Sequence, residues 1–88
     1  MVRKVICSPL PGTFYRRPAP DAPPFKNDGD QVGIGEPVGL IEVMKTFSQV
    51  LAEEAGRISR FLVENEGEVM AGAPLYELEV SVSGDGAT

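Results

Sequence analysis

At 88 residues the chain has room for one thin-cored domain and little room for an enclosed active site, since a domain this small buries only about 60–65% of the surface its unfolded chain exposes. A formal net charge of −5 without a basic stripe argues against a nucleic-acid or anionic-membrane partner. With no histidine and one cysteine, no Ser/His/Asp set, Cys/His pair or zinc site can be built, so the chain is a poor candidate for a free-standing enzyme.

Ten glycines and eight prolines are spread along the sequence, which predicts short strands joined by turns rather than long helices. Val2 to Ser8 reads as a first strand, ended by Ser8-Pro9, with Cys7 as a small buried apolar residue. The start, Met1 to Ile6, lacks a long apolar core, so no signal peptide is expected. No apolar run approaches the roughly 18 residues of a membrane span. A single cysteine cannot form an internal disulfide, and a cytoplasmic location is expected. Gly12-Thr13-Phe14-Tyr15 is a second β-prone run.

Next comes Arg16-Arg17-Pro18-Ala19-Pro20-Asp21-Ala22-Pro23-Pro24. Its four prolines forbid a helix and remove the donors a central strand needs. The expectation is a stiff, protruding loop over about 16–25.

An internal repeat follows. Asn27 to Glu42 resembles Asn65 to Glu79, with one residue skipped near Gln31. Each copy runs from a turn through a short strand and a Gly-x-Pro step to an apolar strand ending in Glu. Upstream, Gly12-Thr13-Phe14 corresponds to Gly56-Arg57-Ile58. Gly12 to Asn27 spans fifteen positions and Gly56 to Asn65 only nine, so the first copy carries about six extra residues in the Pro-rich loop. Two such copies related by a pseudo-twofold axis predict an all-β fold. It would be a flattened barrel or sandwich of two four-stranded antiparallel sheets over residues 1–80, with the loop as a thumb. The small polar residues 81–88 are expected to form a disordered tail.

The joint between the halves is Glu42-Val43-Met44-Lys45-Thr46-Phe47, and it reads two ways. Leu40, Val43, Met44, Phe47, Val50, Leu51 and Ala55 recur at helical spacing, with Gly56 as a stop, which predicts an amphipathic helix over 40–55. The repeat predicts instead a hairpin with Lys45 at its tip. Val43-Met44-Lys45-Thr46 has none of the usual turn residues and exposes a methionine. A local rule broken at the symmetric midpoint marks a functional tip, and the hairpin is the preferred reading.

Glu42-Val43-Met44-Lys45 resembles the (Ala/Val)-Met-Lys-Met signature of biotinyl carrier domains, and the resemblance runs from about Val5 to Glu79. Gly12-Thr13-Phe14-Tyr15-Arg16, then Pro18, Pro20-Asp21-Ala22 and Phe25, is similar to the thumb of the biotin carboxyl carrier proteins of bacterial acetyl-CoA carboxylases. The resemblance implies a non-catalytic carrier subunit in acyl-CoA carboxylation of the kind that feeds fatty-acid biosynthesis. A biotin protein ligase would join biotin to Lys45, with Met44 as the neighbour that the ligase recognises. A biotin carboxylase subunit would carboxylate the biotin, and a carboxyltransferase subunit would pass the carboxyl group on.

The chain departs from that pattern in places. Thr46 stands where the family usually has Met, and Val43 where it usually has Ala. In the thumb, Arg17 and Ala19 replace hydroxyl residues, and Arg17 is a candidate donor to the biotin ureido oxygen. With Met1 as its start, the chain is expected to act as a carrier that diffuses between partners or docks by its own surface. Two alternatives share the fold. One is a lipoyl carrier, against which Met44 and the thumb weigh, and the other is an unmodified interaction module.

Overall fold

The computed structural model describes residues 2–81. The expectation for a disordered tail therefore falls, past Ser81, outside the described residues. Eight strands run in the order β1 (Val2–Cys7), β2 (Gly12–Tyr15), β3 (Gln31–Val32), β4 (Pro37–Val43), β5 (Thr46–Leu51), β6 (Gly56–Phe61), β7 (Gly67–Val69) and β8 (Pro74–Val80). They form two four-stranded antiparallel sheets, β1-β8-β6-β3 and β5-β4-β2-β7. The hairpin, not the helix, occupies 40–55.

Adding four to each strand number turns the first sheet order into the second, which is the pseudo-twofold relation expected from the repeat. The relation holds residue by residue. Gly35 and Gly72, which open the two Gly-x-Pro steps, have φ of 87° and 86°, a conformation that disfavours any residue with a Cβ. Gly35 N–H donates to the Ala52 carbonyl, and Gly72 N–H to the Ser8 carbonyl. Pro37 and Pro74 begin β4 and β8, where the missing donor is tolerated.

The core lies between the sheets. Phe14, Val38 and Ile41 of one half meet Ile58, Leu75, Tyr76 and Leu78 of the other, all almost fully buried. Burial of each such side chain contributes about 1.5–3 kcal/mol. The two halves exchange volume at equivalent positions. Phe14 corresponds to Ile58, and Gly39 to Tyr76. A Cβ on Gly39 would stand 2.5 Å from the Phe14 ring, so the large ring in one strand requires its neighbour to be glycine. In the other half the smaller Ile58 leaves room for Tyr76.

Cys7 is exposed, contrary to the expectation of a buried residue. The β1–β8 ladder shifts register between Ile6 and Cys7, which turns Cys7 outward and buries Ser8 instead. Ser8 satisfies its hydroxyl by donating to the Leu10 carbonyl at 2.6 Å.

The Pro-rich segment is a closed loop. Phe25 N–H donates to the Arg16 carbonyl at 2.9 Å and joins its two ends. The strand order also fixes the poles of the domain. Thr13 is in register with Glu42 of β4 and Glu68 of β7, so β7 ends level with the β4–β5 hairpin tip. A short turn leads into β8, which runs away from that tip and finishes at Val80, paired with Val2.

Candidate functional site

Val43 and Thr46 are cross-strand partners, which leaves Met44 and Lys45 as a two-residue turn. Their φ values are 49° and 68°. Positive φ at both central positions is the requirement of a type I′ hairpin turn, whose twist matches that of the flanking strands. Asn and Gly normally fill it, and a Met-Lys pair holds it at a conformational cost. Val43 through Phe47 are all exposed, Met44 at 92%.

Lys45 also has no ion-pair partner among the described residues. Arg3, Lys4, Arg16, Lys26, Arg57 and Arg60 each form an ion pair. Among the described residues, the lysine and arginine side chains without a carboxylate partner are Lys45 and Arg17, two of the three predicted site residues.

Arg17 sits in the thumb, half-buried, its Nη1 donating to the Ala22 carbonyl at 3.2 Å. It lines a cleft of about 220 Å³ between the thumb and the outer face of the second sheet. Arg17 to Pro20 form one wall; Tyr15, Leu40 and Phe47 form the other; Asn65 and Glu66 close an end. Met44 and Lys45 are not part of that lining, but Phe47 is two residues from Lys45 on the same hairpin. The Tyr15 and Phe47 rings lie 5.8 Å apart at 51°. Tyr15 Oη donates to Glu42 at 2.9 Å. That bond, with some desolvation and the charges of Glu42 and Glu66, pushes the phenol above its ordinary pKa.

Sequence reasoning named Lys45, Met44 and Arg17 and missed Tyr15, Leu40 and Phe47. A signal was available in the repeat. Their counterparts in the other half are Ser59, Glu77 and Arg3. There the outer face is a polar ladder, with Arg3, Arg57 and Ser59 on Glu79 and Arg60 on Glu77. The half with the thumb has exchanged that ladder for two aromatic rings and a leucine beneath a loop. Glu42 and Glu79 keep equivalent places, each accepting a hydroxyl donor, Tyr15 or Ser59.

Fold and site together define a class: a small pseudo-symmetric β-sandwich that presents one unpaired lysine on a hairpin tip beside a thumb-covered cleft. The family model described as biotin-requiring enzyme matches residues 4–78, and the chain belongs to that family, which covers biotin and lipoyl domains. It is 44% identical over 69 residues to a chloroplastic biotin carboxyl carrier protein of acetyl-CoA carboxylase from Arabidopsis thaliana, covering 78% of this chain and 27% of that one. It is 40% identical over 78 residues to the corresponding protein of Chlamydia pneumoniae, covering 89% and 47%. The chain thus spans less than half the length of these relatives.

Among solved structures, a single-chain, multi-domain long-chain acyl-CoA carboxylase superposes with a TM-score of 0.73 at 25% identity, covering 94% of this chain and 8% of that one. The urea carboxylase of Kluyveromyces lactis superposes with a TM-score of 0.70 at 28% identity, covering 90% and 6%. Among the described residues no helix is long and apolar enough to cross a membrane.

Proposed function

We propose that residues 1–80 are the biotin carrier domain of an acyl-CoA-type carboxylase, with biotin joined to Nζ of Lys45 through an amide. The observation that carries this is the tip itself: an exposed lysine without an ion-pair partner, in a turn conformation its own residue type disfavours. The residues fit the group. A biotin ligase needs an accessible amine, and among the described residues Lys45 meets no carboxylate that would compete for it. Met44, almost wholly exposed beside it, offers the ligase an apolar contact.

Biotin supplies a ureido nitrogen that takes up and gives back a carboxyl group. The chain's own part is mechanical. Acylation removes the Lys45 charge and makes its side chain the root of a long tether. Tethering replaces free diffusion by a high effective concentration at two partner sites, a biotin carboxylase and a carboxyltransferase. The hairpin keeps the root of the tether rigid. Arg17 donates one hydrogen bond to its own thumb and keeps further guanidinium donors for a carbonyl in the cleft. The domain provides no acid or base and works as a non-catalytic carrier.

The biotin reading is preferred to a lipoyl one on Met44, on the thumb and on the names of the relatives. Intact-mass spectrometry after incubation with a biotin ligase, biotin and ATP tests it, with Lys45→Arg as control. One added biotin amide on the wild type and none on Lys45→Arg is expected. A mass gain only with a lipoyl ligase would replace biotin by lipoate, and no gain with either would leave an unmodified interaction module.

A further inference from the structure

Arg16 stands at the base of the thumb and uses three separate groups there. Its backbone N–H donates to Asn65 Oδ1 at 2.7 Å, which ties the thumb's first residue to the β6–β7 turn. Its carbonyl accepts the Phe25 N–H, which closes the loop. Its guanidinium lies over the Phe61 ring, 4.1 Å from the centroid, and reaches the Lys26 carbonyl at 3.5 Å and Asp28 at 3.9 Å. One residue therefore joins the thumb's entry, its exit and the body.

Two observations show that this placement is not a default. First, the repeat puts Arg60 at the equivalent position, and Arg60 has an ordinary surface role: 64% exposed, paired with Glu77. Arg16, with the thumb inserted directly after it, is 25% exposed and turned onto the partly buried Phe61 ring instead. Second, Arg16 Nε is buried with no hydrogen-bond partner. An unsatisfied buried donor costs stability, so this placement has to be held by the guanidinium's other contacts, the Phe61 ring, the Lys26 carbonyl and Asp28. Lysine could not take this place, because only a flat guanidinium can stack on the ring while reaching a carbonyl at its edge.

We propose that Arg16 is a positioning residue that holds the thumb as a fixed wall over the cleft beside Lys45. It acts through the thumb, and so through Arg17, rather than on the tethered group itself. The clamp stands on geometry alone; its consequence for carboxyl transfer rests on the carrier reading above.

The test uses the whole chain, wild type and Arg16→Lys, with Arg16→Ala as the stronger variant. Amide hydrogen exchange by NMR is read in the unmodified protein. Phe25, whose amide closes the thumb, and Ala22, whose amide donates to the Ala19 carbonyl within it, should exchange about tenfold faster or more in both variants, the factor expected from losing one charge-assisted contact. The amides of Ile41 and Leu78 in the core should keep their protection, which also verifies that each variant folds. Ligase loading of Lys45, read by mass, should be unchanged. With fully loaded carrier as substrate for a biotin carboxylase, kcat should fall roughly tenfold with KM little altered, the pattern of a misplaced rather than unbound group.

Wild-type exchange at Phe25 and Ala22 in Arg16→Lys would overturn the clamp. A loosened thumb with unchanged kcat on loaded carrier would overturn its positioning role. Failure of wild-type Lys45 to take biotin would count against the carrier reading, while the exchange data still decide the clamp.

Discussion

The strain at the hairpin tip can be weighed directly. Met44 and Lys45 hold left-handed backbone at φ 49° and 68°. That conformation costs an ordinary L-residue roughly 1–2 kcal/mol, and Asn or Gly relieves it. The double substitution Met44→Asn, Lys45→Gly relaxes both positions, and the freedom glycine adds to the unfolded chain gives back roughly 0.5–1 kcal/mol. Met44 is 92% exposed, so little packing is lost with its side chain. The net expectation is a stabilisation of roughly 1–3 kcal/mol. For a domain of this size that raises Tm by about 5–20 °C. Thermal unfolding followed by circular dichroism measures it, and a urea titration should show a higher midpoint with an unchanged slope. An unchanged or lower Tm would refute the claim that the tip is held against its residues' preference. Met44→Asn alone keeps the lysine and should gain roughly half as much, while ligase loading of Lys45 slows.

Three other outcomes are expected. Gly39→Ala drives a methyl group into the Phe14 ring and the Tyr15 carbonyl, and should cost about 1–3 kcal/mol or more in urea unfolding; a neutral result would contradict the packing described. Glu79 is held below the ordinary carboxyl pKa of 4.5 by hydrogen bonds from Ser59, Arg57 and Arg3. A depressed folded pKa gives stability present above the unfolded value and lost as pH falls through the folded one, so the advantage of wild type over Glu79→Gln should shrink as pH drops below 4.5. Replacing residues 17–24 by two glycines should leave unfolding cooperative and slow carboxyl transfer; loss of cooperative unfolding would make the loop structural.

The two-sheet architecture was legible because its punctuation repeats. Glycine and proline at Gly35, Pro37, Gly72 and Pro74 mark backbone conformations that few other residues tolerate, and such marks survive translation into sequence. The helical periodicity over 40–55, set aside in favour of the hairpin, has a physical reason. Val43, Met44, Phe47 and Leu51 are exposed, while Ile41 and Val50 of the same hairpin are buried. On the carrier reading proposed above, exposed apolar residues at the tip and cleft serve contacts with other molecules, so apolarity and burial part company there. The exposure of Cys7 was hidden because a register shift leaves no compositional trace. The cleft wall of Tyr15, Leu40 and Phe47 could have been found by comparing the two halves for polarity as well as for turns.

Val2 and Val80 are neighbours at the end of the sandwich opposite Lys45. Both ends of the described sandwich therefore lie at the pole remote from the lysine. A flexible leash attached at that pole would gain the whole length of the body in reach, whereas its own reach grows only as about 5–6 Å times the square root of its residue count. Such a leash would not have to pass the thumb or the hairpin, and on the carrier reading proposed above it would leave the tip free to enter a partner's pocket.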